Sequence, residues 1–287
     1  MTQPNTSQSR AILLTVAAIL CFGLMDVAVK AVSPMTGTLP ALWARYAGQM
    51  VIVVILVAPR LTRVAQSQYP KLQIARSVLL MLATFFFFLA LGQIGLAEAT
   101  AVMSMNPLLI TLGGALFLGE ALGPRRIIAI LVALVGALIV IRPGSEVFQP
   151  ASLLPLIAAF CFASYTLITR RLGPDEDVWT SLFYTGLVGS VILTCIMPLH
   201  WQPLTGQSIA LMCVIGAVGT AGQLMLIRAL SMAEAGLLAP FNYTGLVFAV
   251  LWGLVLFGER PDVLTLIGAL VIAGAGIYVW HRETRAT

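Results

Sequence analysis

The chain carries much of its own sequence twice. At a constant offset of 139, residues 90–120 lie on residues 229–259 without a gap. Ala90 meets Ala229, Leu91 meets Leu230, Leu112 meets Leu251, Gly114 meets Gly253, Gly119 meets Gly258 and Glu120 meets Glu259. At an offset of 140, Cys21-Phe22 falls on Cys161-Phe162 and Lys30 on Arg170. Each half holds five apolar stretches: near 11–31, 39–58, 72–92, 99–119 and 127–141, then near 152–170, 178–198, 208–230, 237–257 and 263–280. Most approach the ~20 residues that cross a bilayer core. The fifth, between Arg126 and Arg142, is short and relies on those arginines reaching the interface. An odd number of crossings per half leaves the second half facing the opposite way. The expected fold is therefore all-α and integral to the membrane: ten transmembrane helices in a 5+5 inverted repeat, with halves at 1–149 and 150–287. Such repeats place a binding site near the bilayer midplane.

Composition supports the membrane reading. The chain is 60% hydrophobic and 9% charged, against about 25% charged in a soluble domain. Alternating strand patterning is absent, which excludes a β-barrel. The longest connection, 59–71, is too short for a soluble domain, and no phosphate-binding G-x-x-x-x-G-K-[ST] loop occurs. The first ten residues are polar, and the first apolar stretch lacks a small-residue cleavage site. It is expected to be a retained helix.

The net charge of +5 reports topology and gives no sign of a nucleic-acid partner. With Arg45 and Arg228 set aside as deeper, one face collects Arg10, Arg60, Arg63, Lys71, Arg76, Arg125, Arg126, Arg170, Arg171, Arg282 and Arg285. The other holds Lys30, Arg142 and Arg260, the last offset by Asp262. Cytoplasmic loops are enriched in Lys and Arg, so both termini are expected in the cytoplasm of a bacterium, with the chain in the inner membrane. Cys21, Cys161, Cys195 and Cys213 all fall inside spans without metal-ligand spacing. They read as packing thiols, and no metal or cofactor is expected.

Ionisable groups inside spans are costly and face cavities or one another. Asp26 and Lys30 are four apart on one helix, acid first. Either they pair with each other, or they contact a substrate or coupling ion. Arg45 lies inside span 2 with Trp43 and Tyr46 close by. It could hold a carboxylate bidentately, pair with Asp26, or anchor its helix at the interface. Gln223 is a lining candidate, deeper than Arg228, which has Glu234 in the following turn as a local partner. Span 4 contains Ser104, Asn106 and Pro107, and span 9 opens with Pro240, Asn242, Tyr243 and Thr244. Proline bends a helix and frees a carbonyl. Polar groups beside such bends in corresponding spans point to a midplane site. Tyr165 adds aromatic surface, whereas Trp179 reads as an interfacial anchor. Glu120 and Glu259 each end a span, where the helix dipole disfavours an acid. Their recurrence implies a specific partner and a gating or structural role. Gly216, Gly219 and Gly222 share one face of span 8, suited to close helix approach.

At the repeated Leu-Gly-Glu and Phe-Gly-Glu ends, the Lys of span 1 and the Arg of span 2, the chain resembles the drug/metabolite transporter superfamily in its EamA-like ten-helix branch. The resemblance covers essentially the whole chain and rests on the two five-helix halves with Lys30, Arg45, Pro107, Glu120 and Glu259. It implies a cavity lined by spans 1, 3, 4, 6, 8 and 9, with spans 5 and 10 peripheral. It also implies a secondary transporter for small molecules, amino-acid export first among them, with other metabolites, drugs or nucleotide-sugar-like solutes as alternatives. The partners expected are a small-molecule substrate and the lipid bilayer, with the chain a monomer or weak homodimer. Span 7 has no arginine matching Arg45, so charge recognition is asymmetric. An intramembrane enzyme would need a nucleophile or metal set, and His200 and His281 supply neither. A channel would need an uninterrupted polar stripe, which no span shows.

Overall fold

The computed structural model describes residues 6–118, 124–143, 148–172, 175–233 and 238–283. Each of the ten apolar stretches is helical. The helices are α1 (Thr6–Thr36), α2 (Thr38–Val57), α3 (Pro70–Leu91), α4a (Leu96–Met103) with α4b (Asn106–Leu118), and α5 (Pro124–Ile141). They continue with α6 (Leu154–Leu172), α7 (Val178–Ile196), α8 (Gly206–Met232), α9 (Thr244–Phe257) and α10 (Val263–Glu283). No strand occurs among the described residues. Seven of these helical segments are long and apolar enough to cross a membrane, and Ile127–Ile141, Phe241–Phe257 and Val263–Tyr278 are shorter apolar helices.

Local chemistry sets the helix ends. Pro70 opens α3, where its missing N–H costs nothing. Asp177 caps α7 by accepting from Trp179 N–H, and Thr205 with Ser208 forms a reciprocal capping box on α8. The repeated Gly-Glu has a backbone reason in the second half. Gly258 stops α9 at φ 65°, a left-handed conformation that a Cβ disfavours. Span 4 is broken at Ser104 and Met105, one turn before the ring of Pro107 could clash. Span 9 is irregular at the matching place: Ala239–Tyr243 is a 3₁₀ turn leading into α9.

The packing follows one rule. The most extensive pairings are α1 with α8, α5 with α10, α3 with α6 and α2 with α7. Exchanging each helix for the one five places on turns α1–α8 into α6–α3. It leaves α2–α7, α4–α9 and α5–α10 unchanged. The pairings α2–α8 with α3–α7, and α1–α9 with α4–α6, exchange in the same way. Close approach between helices needs small residues, because lipid supplies no hydrophobic drive between them. A Cβ on Gly48 of α2 would lie 2.8 Å from the Gly216 Cα of α8. Large apolar side chains of α5, α9 and α10, such as Leu131, Val135, Val255 and Leu270, point outward. Arg45, Gln49, Gln73, Arg76 and Gln223, from α2, α3 and α8, are buried.

Candidate functional site

A cavity of about 180 Å³ lies between α1, α2, α3, α4, α6 and the start of α9. Its wall is largely apolar, with Phe22, Phe87, Phe88, Met103 and Phe162, and into this wall are set Asp26, Arg45, Thr84, Thr100, Ser104, Asn106 and Asn242. The break in span 4 places the polar groups here. It aims Ser104 and Asn106 from successive half-helices, and the 3₁₀ turn before α9 brings Asn242 opposite.

Arg45 is 4% exposed. Nη1 lies 2.9 Å from Met25 Sδ, and Nη2 donates to Gln223 Oε1 at a long 3.5 Å. Its Nε has no partner, and the guanidinium stacks near Phe22 and Tyr46 at 5.9 and 5.5 Å. Asp26 faces the same space and makes no hydrogen bond or ion pair among the described residues. Asn106 Oδ1 is buried and also unpartnered. Behind Arg45, Gln223 donates to the Tyr165 hydroxyl at 2.6 Å, and both are fully buried.

A charge pair lies beside the cavity. Lys30 Nζ lies 2.7 Å from Glu259 Oε1 and donates to Leu91 O (3.2 Å) and Ile94 O (2.7 Å), the free carbonyls at the end of α3. Glu259 Oε2 accepts from Leu96 N–H at 2.8 Å, at the positive end of α4a. Leu96 itself lines the cavity, so the tie anchors one of its walls. Nearby, Glu98 accepts from Ser152 Oγ at 2.6 Å. Asp262 caps α10 through Thr265 N–H at 2.8 Å and pairs with Arg142. The hydrogen bond from Arg142, with those from Thr265, holds the Asp262 carboxyl down at about 2.

The opposite end of α3, away from Lys30, is tied without an ion pair among the described residues. Glu176, before α7, accepts from Ser67 Oγ (2.9 Å), Gln68 N–H (2.7 Å) and Gln73 Nε2 (3.1 Å). Gln73 Oε1 in turn accepts from Arg76 Nη1 at 2.8 Å.

Comparison with known proteins decides the family. The EamA-like transporter family matches residues 9–142 and, a second time, residues 149–280. The chain belongs to the EamA-like transporter family. This transporter is 31% identical over 275 residues to the pseudopaline exporter of Pseudomonas aeruginosa strain UCBPP-PA14, covering 93% of this chain and 94% of that protein. It is 29% identical to the S-adenosylmethionine uptake transporter of Rickettsia felis, over 76% of this chain and 74% of that one. It is 30% identical to the riboflavin transporter of Rhizobium johnstonii, over 77% and 73%. A solved crystal structure shares the fold at a TM-score of 0.69 and 21% identity, covering 97% of this chain and 99% of that chain. The protein is thus a multi-pass membrane transporter and not an enzyme.

The transporter's structure redistributes the residues singled out from sequence. Asp26, Arg45, Asn106, Pro107 and Asn242 share the cavity. Lys30 and Glu259 pair beside it and tie down its wall residue Leu96. The intrahelical Asp26–Lys30 pair is not made, because Lys30 reaches past the α1 surface to an acid and two carbonyls. Tyr165 and Gln223 stand behind Arg45, so α8 supports the wall and α2 lines it, the reverse of the expectation. Tyr243 packs into the α5–α10 side cluster, where its ring would meet any Cβ placed on Gly276. It does not line the cavity. Glu120 and Glu234 lie outside the described residues, as does the side chain of Pro240. Trp179 stacks with Arg60 at 5.3 Å. Arg76, read from sequence as a loop charge, is 0% exposed. The signal for its burial was present in the sequence: Gln73, Arg76, Ser77, Leu80 and Thr84 follow one helical face.

Proposed function

We propose that this transporter exports amino acids, or similar zwitterions with a large apolar side chain, by alternating access in a ten-helix 5+5 inverted repeat. One observation carries the reading: a guanidinium and a carboxylate face the same apolar cavity, and among the described residues neither is in ion-pair contact. A zwitterion would neutralise both at once, its carboxylate on Arg45 and its ammonium on Asp26. Asn106 and Asn242 supply further amide groups, and the phenylalanine wall takes the side chain. Asp26 and Arg45 attract each other across the cavity but are not in ion-pair contact. Opposite charges held apart in a low-dielectric site are costly, so a zwitterion set between them relieves a defect of the empty site.

The repeat, with halves at 1–149 and 150–287, is supported by the double family match and by pairings that survive exchange of the halves. Lys30–Glu259 then closes the outer mouth. Glu120, which the repeat sets against Glu259, takes the gating role at the inner one, with Pro107 and Pro240 as the breaks about which spans 4 and 9 flex. The basic bias puts both termini in the cytoplasm of a bacterial inner membrane. A cysteine at Gln207 should label from outside, and labelling only from the cytoplasm would reverse the orientation.

The test is counterflow of labelled amino acids into liposomes holding the purified protein, with and without a pH gradient. Wild type should move apolar amino acids. Arg45→Lys should raise KM about tenfold at near-normal abundance, since a point charge replaces a planar fork. Equal affinity in Arg45→Lys would remove the carboxylate role. The aromatic wall also suits a neutral aromatic solute. Transport unaffected by both Arg45→Lys and Asp26→Asn would favour that second reading.

A further inference from the structure

The second half lacks an arginine at the place of Arg45, but the fold supplies one from elsewhere. At the offset of 140, Met25 corresponds to Tyr165 and Arg45 to Thr185. Arg45 lies against Met25. Arg76, on α3, lies over the Tyr165 ring at 5.2 Å and donates Nη2 to Thr185 Oγ1 at 3.0 Å. A guanidinium therefore occupies the symmetry-related position, toward the opposite end of the molecule, about six residues or 9 Å into α3. Its remaining contacts are Ser181 O (3.1 Å) and Gln73 Oε1 (2.8 Å), and Nε has none. Every polar partner of this fully buried cation is neutral. A buried charge without a directly paired counter-ion is unfavourable. Among the described residues the Glu176 carboxylate reaches Arg76 only through Gln73, and Arg76 is bridged to Arg45 by Tyr165 and Gln223.

The geometry points to Arg76 as a second carboxylate-binding station, on the cytoplasmic side, that receives the substrate carboxylate before Arg45 does. This rests on the carboxylate-bearing substrate proposed above. In the closed arrangement, Ser181 O and Thr185 Oγ1 hold the guanidinium fork. When the inner face opens, an entering carboxylate replaces these neutral acceptors with a charged, bidentate one. On passage outward the same group is handed to Arg45. The two stations are equivalent in the repeat and differ in which half of the chain supplies the cation.

The test is sided transport of labelled L-phenylalanine in inside-out and right-side-out membrane vesicles, with L-phenylalaninamide as competitor. Arg76→Lys should raise the inner-face KM about tenfold and leave the outer-face KM within about twofold. Thr185→Val removes a competing acceptor, so it should lower the inner-face KM. A purely structural strut between α3 and α7 predicts the contrary: both variants lose thermal stability, and neither changes KM on one face alone. That result overturns the station, and the Thr185→Val arm decides it even where Arg76→Lys fails to accumulate. If the amide competes as well as the acid on both faces of wild type, the carboxylate reading falls and the station with it. If the acid is preferred and the inner-face KM of both variants is unchanged, only the station falls.

Discussion

The two ends of α3 are both tied by a glutamate, and the ties differ in kind. Glu259 holds a cation, Lys30, together with a helix N-terminus. Glu176 holds three neutral donors, from Ser67, Gln68 and Gln73, and no cation among the described residues. Charge-assisted bonds to a matched ion are the stronger class when water is excluded, and the Lys30 and Glu259 side chains are only 15% and 24% exposed. The end that closes on an ion pair holds until a competing charge or opening motion separates the pair. The end that closes on neutral donors yields more readily. On the export reading proposed above, the Glu176 face is the entry side and opens at smaller cost than the exit side.

The largest expected effect comes from leaving one partner of the ion pair alone. Lys30→Ala strands Glu259 in a mostly buried site and should cost about 2 kcal/mol, less than a fully buried pair because some water remains. The double variant Lys30→Met/Glu259→Gln should lose less than the two single losses together. Denaturant unfolding in micelles measures both, and additive losses would dissolve the pair. In a background lacking the four native cysteines, Leu96→Cys should label from outside in Lys30→Ala and stay protected with Lys30 intact.

Glu176→Gln is the matched experiment at the other end. The amide keeps one acceptor oxygen and loses the charge, so the cost should be about 1 kcal/mol. Added salt should change this variant's stability relative to wild type less than it changes Lys30→Ala's. A loss from Glu176→Gln equal to that from Lys30→Ala would erase the contrast between the ends.

Much of this was legible in the sequence, for reasons that also mark where it stopped being so. Span positions follow from apolar length, and the break in span 4 follows from Pro107. Arg45 and Asp26 were visible as charges too deep to be loop residues. The partner of Lys30 was not visible, because an i,i+4 neighbour is a local inference while Glu259 is 229 positions away. Arg76 lies two turns inside α3, close enough to a loop to be counted with it. Only the packing of α6 and α7 over it excludes water. Tyr243 follows Asn242 directly, but adjacent residues on a helical turn point about 100–120° apart. The cavity therefore takes one and the α10 packing takes the other.

The smallest effect belongs to the second ion pair at the Lys30–Glu259 end, Arg142 with Asp262. It is a useful control, since it lies outside the spans and shares that end with Lys30–Glu259. The folded carboxyl titrates near 2, below its ordinary 3.8, chiefly because Arg142 donates to it. A depressed folded value means the stabilisation is complete above the unfolded value and is lost as pH falls through the folded one. The window therefore runs from about pH 5 down to about pH 2. The Asp262 side chain is 50% exposed, so solvent screening holds the contribution under about 1 kcal/mol. Asp262→Asn keeps the cap on α10, because an asparagine oxygen still accepts from Thr265 N–H, and removes only the charge. The stability difference between wild type and Asp262→Asn should be present at pH 6 and vanish near pH 2. A difference that is the same at both ends of that window would assign Asp262 to capping alone. Lys30–Glu259 would then be the one ion pair energetically engaged at that end among the described residues.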